Sequence, residues 1–125
     1  MRESPASRIH REILLAFWKI HILHHASQQP VYGQWMLREL RRHDFDLSPG
    51  TLYPLLERMA KAGWLRAKKS SRPRARNIRR EYVLAVKGAE ELTALRRSVD
   101  QLHREIRTPG RERKLPLVPS ATSEP

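Results

Sequence analysis

A segment near the middle of the chain combines the residues of a helix start with hydroxyl side chains. Ser48 is a suitable N-cap, and Pro49 fits the first helical position, where its missing N–H costs nothing. The free backbone N–H groups of such a helix start bind phosphate oxygens, and Gly50 allows a close approach. Thr51 and Tyr53 add hydroxyls that can contact phosphates or base edges, which suits a nucleic acid. The candidate contact residues of this helix are Ser48, Pro49, Gly50, Thr51, Tyr53, Arg58 and Lys61.

A cluster of cations follows this helix. Residues 64–68 and 81–86 have the composition of strands, and the Arg-, Ser- and Pro-rich stretch between them is typical of a loop. The pattern predicts a β-hairpin whose basic tip can lie along a nucleic-acid backbone or insert an Arg into a minor groove. A basic run alone is equally typical of a solvated loop, but its position after a Ser-Pro-capped helix favours binding. Its candidate residues are Lys68, Lys69, Arg72, Arg74, Arg76, Arg79 and Arg80.

The composition points to a polyanionic partner. The 125 residues include 25 Lys or Arg against 13 Asp or Glu, which gives a formal net charge of +12. A chain of this length predicts one small domain, and the charge favours nucleic acid over an anionic membrane surface. The absence of Cys excludes a disulfide scaffold, a Cys-ligated zinc finger and a cysteine nucleophile.

The sequence argues against an enzyme, a metal site and a membrane segment. Its five glycines form neither a dinucleotide fingerprint nor a phosphate loop, and no Ser, His and Asp arrangement suggests a nucleophile with its base. His21 and His25 have a metal-binding spacing but no carboxylate or Cys nearby, so we expect no metal and no cofactor. The longest apolar stretch, 13–23, is about half of a bilayer span. We expect no targeting signal, no membrane partner and a cytoplasmic location.

Apolar patterning predicts two helices that form a dimer interface. A first helix over 8–26, with Ser7 as its N-cap, is apolar nearly all round, so it must be covered on several faces. In so short a chain a second subunit is favoured over coverage by the same domain. A last helix over 88–107 carries apolar residues at alternating spacings of three and four, as in a coiled coil. The candidate dimer residues are Ile13, Phe17, Ile20, Leu92, Leu95, Val99, Leu102 and Ile106.

The order of elements predicts a winged helix-turn-helix. Between the first and last helices we expect a second helix over 31–43, a third over 48–62 ended by Gly63, and then the hairpin. The predicted fold class is mainly α with a small two-stranded β-wing and a C-terminal dimerisation helix. We expect a DNA-binding domain over 1–87, the dimerisation helix over 88–107 and a disordered tail over 108–125.

Two local features allow more than one interpretation. Pro54 lies inside the third helix, where it is either a tolerated kink or a bend that aims Tyr53 at a groove. Phe17, Trp18 and Trp35 could line a cavity for a small, flat aromatic effector, although aromatic residues at helical spacing more often fill a core. We favour the core interpretation.

Two segments, VYGQWMLREL at 31–40 and LSPGTLYPLL at 47–56, are similar to the PadR family of bacterial winged-helix transcriptional repressors. The resemblance extends over about 13–95 and includes RREYVL at 79–84. It implies a homodimer built by the first and last helices, with Tyr53, its neighbours and the basic wing on DNA. We therefore expect a repressor that binds double-stranded DNA at a palindromic operator. The alternative is a winged-helix module that binds RNA or a protein without recognising a DNA sequence.

The chain departs from the family pattern at two positions. Ala85 stands where the family usually has Thr before the last helix, so a capping oxygen is lost. Glu81 stands where many members have an aromatic residue, and we expect it to fold back onto Arg79 or Arg80 and reduce affinity. The single C-terminal helix resembles the compact subgroup of the family.

Overall fold

In the computed structural model, four helices and three short strands follow one another along the residues that the structure describes, which are 5–42, 47–69, 80–107 and Pro119. The predictions for Arg72, Arg74, Arg76 and Arg79, and for the rest of the tail, lie outside these residues. The elements are α1 (Pro5–Ala26), β1 (Val31–Tyr32), α2 (Gly33–Arg42), α3 (Pro49–Lys61), β2 (Leu65–Lys69), β3 (Arg80–Leu84) and α4 (Val86–Arg107).

The first helix begins three residues earlier than predicted. It starts at Pro5, a residue that a first helical turn tolerates, so Ser7 lies within the helix and its prediction as an N-cap is wrong. On its inner face Trp18, Ile22 and Leu23 are buried. Helix α1 contacts both α2 and α4, and it forms the support on which the other elements pack.

Strand β1 was not predicted from the sequence. Val31 and Tyr32, expected to start the second helix, pair antiparallel with Tyr82 and Glu81 of β3. β-Branched and aromatic residues suit a strand, but the partner strand lies too far along the chain for a local pattern to reveal it. The predicted two-stranded hairpin is therefore a three-stranded antiparallel sheet in the order β1-β3-β2.

Helices α2 and α3 enclose the core together with α1. Leu47, in the connector between them, is buried and its carbonyl accepts a hydrogen bond from Arg41 Nε at 3.3 Å. The α3 helix ends with Ala62 as its C-cap, and Gly63 follows with φ of 87°, which confirms the predicted left-handed terminator. The largest fully buried side chains of the described residues are Ile22, Leu23, Val31, Met36, Leu40, Leu47, Leu52, Leu55, Leu56 and Met59.

The last helix starts without a capping side chain. It begins at Val86, where the carbonyl of Ala85 accepts the Ala89 N–H at 2.9 Å and the Ala85 N–H donates to the Trp64 carbonyl at 3.0 Å. Gly88 packs on the same turn so closely that a Cβ there would lie 2.1 Å from the Trp64 oxygen. These backbone contacts fix the start of α4, but they do not supply the acceptor oxygen that Ala85 lacks. No helix of the described residues is long and apolar enough to span a bilayer.

Candidate nucleic-acid interface

The start of α3 lies on the surface of the protein. Ser48, Pro49 and Gly50 are exposed and Thr51 is half-buried, whereas Leu52 behind them is completely buried. The first turn of α3 contains no acidic side chain, so none of its own residues offsets the partial positive charge of the helix N-terminus. The geometry and the charge of this turn both suit an anionic ligand.

Ser48 occupies the predicted N-cap position, but its hydroxyl does not cap the helix. Its backbone is extended, with φ of −90° and ψ of 157°, and its carbonyl accepts the N–H groups of Thr51 and Leu52, each at 3.0 Å. The prediction of a capping hydroxyl is wrong, because Ser48 Oγ lies 3.2 Å from Thr51 Oγ1 and makes no hydrogen bond to the helix backbone. Two hydroxyls are therefore adjacent on the exposed helix start.

Tyr53 lies one turn further along α3 and is 39% exposed. Its hydroxyl has no hydrogen-bonding partner among the described residues, so it can bond to a ligand. Pro54 follows, also exposed, and the helix continues through it to Lys61. Because Pro54 has no N–H, it cannot donate to the carbonyl of Gly50.

The predicted basic residues of the described surface lie along α3 and on the hairpin. Arg58 and Lys61 are exposed on the later turns of α3, and Lys68 is exposed on β2, which packs against α3. Arg66, which the sequence analysis did not single out, is also exposed on β2. These four cations flank the junction between α3 and the hairpin.

Glu57 of α3 is a site residue that sequence reasoning missed. Its Oε1 accepts hydrogen bonds from Arg80 Nη1 and from the Tyr82 hydroxyl, the latter at 2.6 Å. Both donors belong to β3, immediately after the loop of the hairpin, so Glu57 ties the base of the wing to α3. A single acid in a basic helix has no local signature that separates it from a solvated surface residue.

Of the two predicted partners of Glu81, Arg79 lies outside the described residues, and the expectation of a pair with Arg80 is wrong. Arg80 pairs with Glu57, whereas Glu81 is buried and its carboxylate lies 4.0 Å from the Lys68 ammonium on the neighbouring strand. The two acids therefore pair with different cations. The charges of Lys68 and Arg80 are each partly neutralised by an intramolecular ion pair, so these two cations attract an anionic ligand less strongly.

The electrostatics of this junction favour the ionised form of Glu57. The hydrogen bond from Arg80, and then the one from Tyr82, hold the Glu57 pKa below its usual value. Burial, followed by the hydrogen bond to Glu57, raises the pKa of Tyr82 to about 12. At neutral pH the pair is a carboxylate with a protonated phenol, so both bonds are present under physiological conditions.

A second surface is formed by α1 and α4, which pack against each other. Leu92 lies in the core of the chain and Leu95 packs partly against it, but the later residues of the predicted seam are uncovered. Between the two helices lies a cavity of about 450 Å³. It is lined by Ile20, His21, His24, Leu92, Arg96, Val99, Asp100 and His103.

The three aromatic residues of the predicted effector site have different surroundings. Phe17 is 42% exposed, whereas Trp18 is 5% exposed and belongs to the core. Trp35 meets the ring of His25 edge-on, with the ring centroids 5.4 Å apart. None of the three lines the cavity between α1 and α4. Within the described residues no group of three or more His, Asp or Glu side chains could hold a metal ion.

Helices α2 and α3, joined by a short connector and followed by a β-hairpin, define a winged helix-turn-helix. Residues 22–94 match the transcriptional regulator PadR-like family. The chain is 41% identical over 96 residues to the transcriptional regulator Rv3488 of Mycobacterium tuberculosis, a match that covers 77% of this chain and 88% of that protein. The chain therefore belongs to the PadR-like family of transcriptional regulators, which are not enzymes.

Solved structures show the same fold. A PadR-like transcriptional regulator from Bacillus cereus superposes with a TM-score of 0.69 at 28% identity, over 77% of this chain and 93% of that one. A PadR-like transcription factor from Bacteroides fragilis gives a TM-score of 0.69 at 22% identity, over 80% of this chain and 96% of that one. The predicted mainly α winged-helix fold is thus confirmed, with β1 as an added third strand, while the role of the last helix in dimerisation stays a prediction.

The variant Glu57→Gln tests the junction between α3 and the wing. Because the folded-state pKa of Glu57 is lowered, its contribution to stability is present above the ordinary pKa of 4.5 and is lost as the pH falls through the folded value. We expect the variant to lose up to about 1 kcal/mol of unfolding free energy at neutral pH, as for a solvent-screened ion pair. Urea denaturation over a pH series measures the difference, which should shrink in acid.

The matched control is Glu90→Gln, which removes an exposed acid of α4. Its stability should follow that of the wild type at every pH in the series. An equal, pH-independent effect of the two substitutions would contradict a specific role of Glu57.

Proposed function

We propose that this regulator is a repressor that binds a palindromic DNA operator as a homodimer, in the cytoplasm. The observation that carries the proposal is the exposed, acid-free start of α3 with Tyr53 beside it. Each subunit inserts this helix start into a major groove, while its wing follows the neighbouring backbone. A symmetric pair of subunits then requires two half-sites with the same symmetry.

The roles of the α3 residues follow from their positions. The Gly50 N–H, at the positive end of the helix, donates to a phosphate oxygen, and the paired hydroxyls of Ser48 and Thr51 bond to the same group. Tyr53, whose hydroxyl has no hydrogen-bonding partner among the described residues, extends toward the base edges. Arg58 and Lys61, on later turns, contact the backbone.

The wing supplies positive charge that attracts the phosphate backbone whatever the base sequence. Residues 69–80 contain six Lys or Arg and no acid, and Lys68 and Arg66 extend this charge onto β2. Arg80 is already bonded to Glu57, so we assign it to holding the base of the wing and assign phosphate contacts to the other cations. Lys69, Arg72, Arg74, Arg76 and Arg79 are the further proposed contacts.

The homodimer is supported by apolar side chains that are exposed among the described residues. On α1, Ile9, Ile13 and Phe17 are exposed at spacings of four residues, which places them along one face of the helix. On α4, Val99, Leu102 and Ile106 are exposed at spacings of three and four. Exposed apolar stripes on two adjacent helices are typical of a protein interface. Leu92 is buried in its own chain, so it packs beneath the proposed interface and does not itself contact the second subunit.

The variant Leu102→Glu tests the dimer. Leu102 is 49% exposed in the single chain, so a charge there should leave the fold intact but make burial against a second copy unfavourable. We expect a dissociation constant at least about tenfold higher than for the wild type, measured by analytical ultracentrifugation. The neighbouring Gln101→Glu adds the same charge at another exposed position and should leave the dimer unchanged. A wild type that sediments as a monomer at micromolar concentration would contradict the homodimer.

The variant Tyr53→Ala tests DNA recognition. The wild type first selects a preferred duplex from a library of random sequences, and affinities are then measured for that duplex and for one of mixed sequence. We expect the substitution to weaken binding to the selected duplex by about tenfold, the effect of one lost base contact, with little change in melting temperature. Binding to the mixed duplex should weaken far less.

The same measurement separates the proposal from its rival. A wild type that binds duplexes with a steep salt dependence but selects no sequence would favour a module for RNA or nonspecific binding. If Tyr53→Ala strongly lowers the melting temperature but leaves the preference for the selected duplex nearly unchanged, Tyr53 is a core residue and not a DNA contact.

A further inference from the structure

Gly33 is the first residue of α2, directly after strand β1. Among the described residues Gly63 is the glycine with positive φ, so the backbone of Gly33 has a conformation that any L-residue adopts. Glycine is a poor helix former compared with alanine. The presence of glycine here therefore calls for a reason other than backbone geometry.

The reason is the space beside its Cα. A Cβ at Gly33 would lie 2.4 Å from Cε1, 2.9 Å from Cδ1 and 3.5 Å from Cζ of Tyr53. Real Cβ atoms essentially never approach other heavy atoms to under 3.0 Å. The Tyr53 ring therefore rests on the bare Cα of Gly33 and occupies the volume of the missing side chain. By contrast, the nearest described atom to a Cβ at Gly50 would be Ser48 Oγ, at an ordinary 3.7 Å.

The surface on which the ring rests is held in place by the sheet. Val31 and Tyr32, immediately before Gly33, pair with Tyr82 and Glu81 of β3. Val31 is completely buried, which fixes this end of β1 against the core. The position of the Tyr53 ring therefore depends on strand β3 of the wing, through β1, as well as on its own helix.

We propose that Gly33 is a positioning residue for DNA recognition, because the side chain it lacks sets where the Tyr53 ring lies on the interface. The proposal rests on the proposed function, in which Tyr53 contacts base edges. Any larger residue at this position displaces the ring from the Cα of residue 33 and so shifts the Tyr53 hydroxyl on the interface. The fold itself does not require the ring there, since Tyr53 is partly exposed.

The test compares Gly33→Ala, Tyr53→Ala and the double variant in the full-length chain. The DNA probes are the duplex that the wild type selects from random sequences and a duplex of mixed sequence. We expect Gly33→Ala to weaken binding to the selected duplex at least about fivefold, in the range of one disturbed base contact, and to change binding to the mixed duplex little. The double variant should bind no more weakly than Tyr53→Ala, because the two changes remove the same contact.

A nuclear Overhauser measurement reads the ring position without DNA. The wild type should show contacts between the ring protons of Tyr53 and the Hα protons of Gly33, assigned by their absence from the spectra of Tyr53→Ala. In Gly33→Ala the pattern of contacts from the ring to residue 33 and its neighbours should change. Gln34→Ala, at the next and exposed position of α2, is the matched control and should keep both the contacts and the affinity.

The outcomes separate this inference from the proposed function. If the wild type selects no sequence, the proposed function fails, and with it the role of Gly33 in recognition, even where the ring contacts are observed. If the wild type selects a sequence but Gly33→Ala binds it like Gln34→Ala, or if the losses of the two single variants add, only the role of Gly33 is overturned. If Gly33→Ala unfolds, Tyr53→Ala in the same chain should restore folding; a double variant that stays unfolded would overturn the packing argument.

Discussion

The pairing of β1 with β3 is the constraint on which the candidate interface depends. Two residues of β1 hold the start of α2 against the strand that emerges from the wing, at Val31 with Tyr82 and Tyr32 with Glu81. The same β3 strand is bonded to α3 through Glu57, which accepts hydrogen bonds from Arg80 and Tyr82. The helix-turn-helix and the wing are thus connected at two points, so their relative orientation is set by the fold before any ligand binds. Preorganisation of this kind reduces the ordering cost of binding.

Different cations hold the wing in place and bind the nucleic acid. At the junction Glu57 pairs with Arg80, which makes this cation part of the framework, whereas the looser pair of Glu81 with Lys68, at 4.0 Å, leaves Lys68 among the proposed phosphate contacts. The cations without such pairs in the described surface, such as Arg58 on α3 and Arg66 on β2, are exposed. A phosphate backbone attracts both groups, but only the second can reorient freely toward it. The net charge of +12 then supplies the long-range attraction.

The sequence predicted what local signals encode. Ser48-Pro49 and Gly63 mark both ends of α3, and the alternation before and after the basic loop marks the hairpin. What it missed depends on contacts between distant segments: β1 needs β3 as a partner, and Ser48 bonds to Thr51 although its type suggested a cap. Glu57 and Gly33 acquire their roles only from residues on other elements. The wing cations at 72–79 and the tail remain predictions.

The most direct measurement is an NMR titration of the isotope-labelled chain with the duplex that it selects. If the start of α3 and the base of the wing form one docking surface, the backbone amides of 50–53, 66–69 and 80–82 should shift together at a single protein-to-DNA ratio. The amides along the exposed apolar stripes of α1 and α4 should keep their chemical shifts, since we assign these stripes to contact with the second subunit. Shifts centred on α1 and α4, with the amides of 50–53 unchanged, would contradict the assignment of α3 to DNA.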